Sequence, residues 1–288
     1  MSATLLPTVM PAARYRTLGA AVGGDLYLLG GLDPGGVSSA DIFRIDPASG
    51  AVAVAGHLAT PTHGGAAVTV GNQVLVFGGA DVSPNDLVQS FDPATGATSV
   101  IGHMPSARAD LVGVLVGGQV VLLGGFNGST FVTDVWTTAD GTTFSVLGQV
   151  AQPERYPAVA VVGTTIYLFG GLVAGGEYNG TESTAVQSFD VATGRGAVIG
   201  HLPEPLAHAR AATVGGQVLV FGGWTSAGAS AAVWRFDPAT GAVTPVGTLP
   251  EAVADEAIGV VGGTVYFASG LGAAERPLTA IGSLRLGP

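Results

Sequence analysis

Gln73-Val74-Leu75-Val76-Phe77-Gly78-Gly79 is a five-residue run, apolar after its first position and stopped by two glycines. A run of that length between turn residues reads as a buried antiparallel strand. The same signature returns at Gly30-Gly31, Gly124-Gly125, Gly170-Gly171 and Gly222-Gly223, with a decayed copy at Ser269-Gly270. The intervals are 48, 46, 46, 52 and 47 residues. A period of that size marks a repeat architecture, and it outranks every other signal in the chain.

A second marker lies between successive glycine pairs. It is Phe-Asp-Pro-Ala-Thr-Gly at Phe91 to Gly96 and Phe236 to Gly241, varied at Ile45 to Gly50 and Phe189 to Gly194, and shortened to Ala139-Asp140-Gly141. A third, Gly-His-Met/Leu-Pro, stands at Gly102 to Pro105 and Gly200 to Pro203. Each unit therefore holds four short strands, and no helical period appears. One such sheet cannot bury both its faces, so it must pack between neighbours on either side in a radial array. The expectation is an all-β fold, a six-bladed β-propeller of four-stranded antiparallel blades forming a single domain over 1–288. Blade 1 spans about 12–57, blade 2 about 62–103, blade 3 about 108–149, blade 4 about 154–201, blade 5 about 206–248 and blade 6 about 253–287. Blade 6 lacks a fourth strand of its own. Residues 3–10 resemble the fourth strand of blade 5, so the N-terminal strand is expected to complete the C-terminal blade and remove two exposed edges.

The glycine pair closing each second strand resembles the kelch repeat family, in particular bacterial kelch-type proteins and the central propeller of galactose oxidase. The resemblance spans essentially the whole chain and departs at one place. Small aliphatic residues such as Val100, Ile199 and Val246 stand where kelch repeats usually carry tryptophan. It implies a fold that presents ligand contacts at one end of the channel. Members of this alanine-rich kind are often exported, which favours an exported domain with its signal removed over a cytoplasmic one, although Met1 to Pro11 shows no signal peptide.

Composition removes several function classes. The 288 residues include 47 glycines, no cysteine and no lysine, and carry a net charge of -10. Disulfides, thiol nucleophiles, Schiff-base lysines and phosphate-binding G-x-x-x-x-G-K loops are absent. A copper-radical oxidase of the galactose oxidase kind needs a cysteine beside its tyrosine and is excluded. The charge has the wrong sign for a nucleic-acid backbone or an anionic membrane surface. Uncharged stretches such as 156–176 are broken by glycine pairs into strand-length pieces, so no membrane insertion is expected. A monomer without a cofactor is expected.

Loop lengths point to the working face. From marker aspartate to the next glycine pair the spacing holds at 30 or 32 residues, whereas from glycine pair to marker it varies from 14 to 20. The variable loops connect second and third strands, and they share a face with the blade-to-blade connections. Binding residues commonly sit on such loops. Fourteen positions before each glycine pair, on that face, stand Arg16, Gly64, Asp110, Tyr156, His208 and Asp255. Two positions further in are Leu18, Ala66, Val112, Ala158, Arg210 and Ala257, so Arg210 is the one charge in an aliphatic ring. It needs an anion, from Asp255, Glu256 or a ligand. Kelch resemblance implies ligand contacts at this ring; internal pairing of Arg16, Asp255, His208 and Arg210 is the other reading, and both stay open. Phe126 and Trp224, just after glycine pairs, either stack on a ligand or cover the core. Tyr178 in the longest loop and His63 beside the ring complete the binding candidates. His57, His103 and His201 share one repeat position and read as structural.

Two functions follow. The first is a non-catalytic recognition or scaffold propeller that binds a carbohydrate, peptide or protein partner at the variable mouth. The alternative is an enzyme of epimerase, mutarotase or lyase type, with Asp110, Tyr156, His208 and Asp255 as acid–base groups and an arginine holding an anion. It leans on analogy with kelch-like sialic acid epimerases. The iron motif of kelch specifier proteins is half echoed by Glu251, Asp255 and Gly259, without its histidine. A metal on Asp110, His208 and Asp255 is a minor variant of the enzyme reading.

Overall fold

A computed structural model describes residues 1–173 and 180–287. Six four-stranded antiparallel blades surround a central channel, making an all-β propeller. Blade 1 runs outward from Leu18–Val22 through Asp25–Leu29 and Asp41–Ile45 to Val52–His57. Blades 2 to 5 repeat this order from inner strands Ala66–Val70, Val112–Val116, Ala158–Val162 and Arg210–Val214. Blade 6 takes Ala257–Val261, Thr264–Ala268 and Ala280–Arg285 from the C-terminal end of the chain. Its outer strand is Ser2–Val9, paired antiparallel with Ala280–Arg285 in the register Ser2↔Arg285 to Leu5↔Gly282. A single parallel bridge, Gln149↔Arg195, joins the outer strands of blades 3 and 4.

The apolar second strands are buried after their first residue, and in blade 6 throughout, because both faces of each blade are covered. Six hydrophobic clusters fill the six spaces between adjacent blades. Aromatic pairs cross these spaces, as where Tyr27 of blade 1 meets the edge of Phe91 of blade 2 at 5.4 Å between centroids. No blade holds a core of its own, so cohesion comes from closing the ring.

The glycine pairs serve that closure. In each blade the N–H of the second glycine donates to a carbonyl of the next: Gly31 to Thr62, Gly79 to Arg108, Gly125 to Glu154, Gly171 to Leu206, Gly223 to Val253 and Gly270 to Arg14, at 2.8–2.9 Å. The last bond crosses the seam between the two ends of the chain. So close an approach leaves no room for a side chain. A Cβ on Gly222, at φ +65°, would stand 2.6 Å from the carbonyl oxygen of Val253. Gly222→Ala is therefore expected to cost about 2–3 kcal/mol through clash and a left-handed backbone. Chemical denaturation measures this, and a loss below about 0.5 kcal/mol would contradict the close-approach account. Blade 6 tolerates Ser269 at the equivalent place, at φ +61°, with its hydroxyl buried and unbonded.

The marker aspartates build turns. Oδ1 of Asp46, Asp92 and Asp237 accepts the N–H two residues on at 2.8–2.9 Å, and Asp140 does the same to Thr142. These bonds hold the Asp140 carboxyl down at about 2. His57, His103 and His201 each bond through Nδ1 to the residue entering the third strand, Asp41, Asp86 and Thr184 respectively, at 3.0–3.2 Å.

Candidate functional site

Arg16, Gly64, Asp110, Tyr156, His208 and Asp255 all lie in the left-handed region, at φ between +50° and +60°. Five of the six carry side chains, an arrangement that costs on the order of 1 kcal/mol or more at each and persists only where the surroundings enforce it. The enforcement is a second belt of main-chain bonds. The N–H of Gly64 donates to Arg16, Asp110 to Gly64, Tyr156 to Asp110, His208 to Tyr156 and Asp255 to His208, at 2.5–3.2 Å. The remaining gap, between Asp255 and Arg16, is spanned by side chains, with Arg16 Nε 3.9 Å from Asp255 Oδ2. Gly64 is the ring position where a Cβ would meet Asp110 Oδ1 at 2.5 Å, so the glycine makes room for the neighbouring carboxylate.

Above this belt the side chains form a connected network. Arg155 pairs with Asp110 and also donates to the Tyr156 hydroxyl at 3.1 Å. Tyr156 stacks on His208 with 4.0 Å between centroids and 27° between planes. His208 Nδ1 lies 2.8 Å from Asp255 Oδ1, and the Arg16 guanidinium sits 5.2 Å from the centre of the Tyr156 ring. Burial, reinforced by Asp110, pushes the Tyr156 phenol well up. Burial works against the Asp255 carboxylate, yet His208 and the guanidiniums of Arg16 and Arg210 hold it below the usual range.

The ring thus draws the channel nearly shut at the variable face. The space it encloses is about 30 Å³, room for a water molecule or two. Below it the channel widens to about 250 Å³ and then about 500 Å³ toward the face of the short turns. The expected mouth is a closed collar, and the larger void lies beyond it. Off the collar, at the variable face, Tyr15, Arg16, His63, Asp81 and the loops of blades 1 and 2 line a crevice of about 280 Å³.

Sequence candidates fall in different places. Phe126 is buried, edge-on to Phe131 at 5.9 Å and beneath the Arg155 guanidinium at 5.1 Å. Trp224 is half-buried in a short ribbon, Trp224–Thr225 against Gly228–Ala229. Tyr178 lies outside the described residues. His63 lines the crevice, its Nδ1 2.9 Å from the Ser38 hydroxyl, and burial followed by the nearby Arg16 charge lowers its pKa. Arg210 bonds not a carboxylate but the main-chain carbonyl of Glu256, at 2.6 Å. The proposed metal trio does not assemble as a site. Among the described residues no three histidine or carboxylate side chains converge, because Asp110 turns to Arg155 while His208 and Asp255 pair.

Three features lie outside the reading by repeats, apart from Glu256, which enters it only as an anion for Arg210. Arg155, one position before the ring, holds Asp110; the equivalent residues are Tyr15, His63, Ala109, Ala207 and Ala254, so its charge was the available signal. Arg108 is fully buried with its guanidinium 3.7 Å from the centre of the Trp136 ring. Glu154 and Glu256 are fully buried carboxyls whose oxygens find no hydrogen-bond partner among the described residues at ordinary geometry, with Gln187 near Glu154.

Residues 205–250 match the kelch motif. The chain superposes on a solved structure titled as that of YjhT with a TM-score of 0.85, covering 98% of this chain and 97% of that one at 14% identity. The fold is a β-propeller, and one blade of it carries the kelch motif. None of the curated proteins compared with it matches. The likeness to YjhT concerns the fold alone.

Proposed function

We propose that this propeller is a non-catalytic recognition module that engages a carbohydrate, peptide or protein segment at its variable face, in the crevice between blades 1 and 2. The observation that supports this is the crevice itself. It is a ligand-sized polar space on that face, at about 280 Å³, whereas the collar encloses only about 30 Å³. Its volume lies at the small end of ligand pockets, roughly 300–1,000 Å³, which suits one saccharide unit or the tip of a peptide. The walls offer complementary groups: the Tyr15 ring for stacking, Arg16 as donor, Asp81 as acceptor and a neutral His63. Arg16 joins the crevice to the collar, where Asp255 is its distant partner.

Glycan and peptide arrays probed with the wild-type protein and with Arg16→Ala and His63→Ala test the reading. A ligand is expected whose affinity falls at least tenfold in both variants while their melting temperatures stay near wild type. Unchanged binding in both would reject the crevice.

A second reading, acid–base chemistry on a sugar or small anion, draws support from one contact. Asp255 at 2.8 Å orients the His208 imidazole as a base-holding carboxylate would. NMR of the same sugars for anomeric or epimeric exchange, with His208→Gln as control, separates it from simple binding.

A further inference from the structure

The channel below the collar carries chemistry that neither reading uses. Its waist is lined by the residues shared by the upper and lower voids, Gly113 and Val114 from blade 3 and Gly19, Ala67, Val159, Ala211 and Ile258 from the other five. All seven are small or aliphatic. Two threonines lie deeper, and both spend their hydroxyls on the adjoining blade: Thr69 on the Ala21 carbonyl at 3.0 Å and Thr213 on the Val161 carbonyl at 2.7 Å. Toward the short-turn face the wall ends in Leu115 and Val260, each about 40% exposed.

One cation interrupts this wall. Arg210 opens the inner strand of blade 5 where the other blades place Leu18, Ala66, Val112, Ala158 and Ala257. Its Nε is satisfied by the Glu256 carbonyl. Asp110 is committed to Arg155 and Asp255 to His208 and Arg16, while Asp255 and the buried Glu256 feel the Arg210 charge without an ion pair to it. The two terminal nitrogens of Arg210 make no hydrogen bond or ion pair to the described residues, and they are not sealed from the void. A guanidinium fork facing an apolar tube calls for a carboxylate with an aliphatic tail.

We infer that the channel is a binding site for a slim monoanionic amphiphile, an unbranched aliphatic carboxylate. It enters from the short-turn face, carries its head to Arg210 and lays its tail along the waist. The inner strands of five residues span roughly 17 Å, enough for a tail of about eight to ten carbons. The voids of about 250 and 500 Å³ leave room for it without displacing the wall.

Calorimetric titration of acetate, hexanoate, octanoate, decanoate and decan-1-ol into the intact protein tests this. Saturable one-to-one binding is expected, with affinity rising about threefold to fourfold per methylene. Arg210→Leu, which installs the residue of blade 1, is expected to fold and to weaken decanoate at least tenfold. Ala67→Phe, which plugs the waist, is expected to abolish it. Four results would each overturn the site: no decanoate binding at millimolar concentration, acetate binding as tightly as decanoate, decan-1-ol binding as tightly as decanoate, or either variant binding decanoate like wild type while its melting transition stays intact.

Discussion

Deletion of residues 1–10 is expected to leave a chain without a cooperative melting transition near that of the intact protein, eluting as aggregate on size exclusion. The segment is no appendage. Ser2–Val9 supplies the outer strand of blade 6, Ala3 and Leu6 pack into the two clusters flanking that blade, and Met10 is buried at the centre of one of them. Truncating a buried methionine alone costs about 2–5 kcal/mol. Losing the strand as well uncovers the edge of Ala280–Arg285, and the sum rivals the whole stability of an ordinary domain, roughly 5–15 kcal/mol. Circular dichroism melting decides the matter. A truncated protein that melts within about 3 °C of the intact one would show that the other five blades hold the ring closed unaided.

The second large effect is one of pH. Glu154 and Glu256 are each pushed from 4.5 to about 8 by burial, Arg210 offsetting only part of this for Glu256. The folded protein therefore keeps two protons that the unfolded chain releases above pH 4.5. Stability is fully present below 4.5, falls as pH rises and levels off above about 8, with a loss on the order of 4 kcal/mol per glutamate across that span. The turn aspartates work in the opposite sense. Asp46, Asp140, Asp190 and Asp237 are lowered by hydrogen bonds, so their contribution is present above 3.8 and fades as pH drops toward 2. Maximum stability is expected between about pH 4 and 5. In the Glu154→Gln/Glu256→Gln double variant the decline from pH 5 to pH 8 is expected to flatten. Denaturant unfolding at those two pH values is the measurement, and an equally steep decline in the variant would assign the effect to other groups.

The reading of the sequence succeeded where the chain repeats itself. A glycine pair that must admit a neighbouring carbonyl, and an aspartate that must close a turn, cannot vary freely, so both recur at fixed spacing. Arithmetic on that spacing located the six ring residues and the strand that closes blade 6. What repetition could not supply was the backbone of the ring. Gly64, Asp110, His208 and Asp255 are the residue types that tolerate a left-handed conformation best, but Arg16 and Tyr156 share it and hid the pattern. Partner choice was hidden too. Arg155 and Glu154 each occur once at their repeat position, and the arginine of Arg108 recurs at its position only as Arg14; a side chain so rare in the repeat announces a charge without saying which neighbour it faces. The closure of the collar is a matter of side-chain reach, which spacing does not encode.

The two concentric belts that join the blades consist of amide hydrogens and carbonyl oxygens. Part of the mechanical union is therefore written in main-chain atoms that no substitution of a loop side chain alters, beside the apolar clusters between the blades. Mutation can recast the specificity of such a body, one loop at a time, without renegotiating how its sectors hold hands.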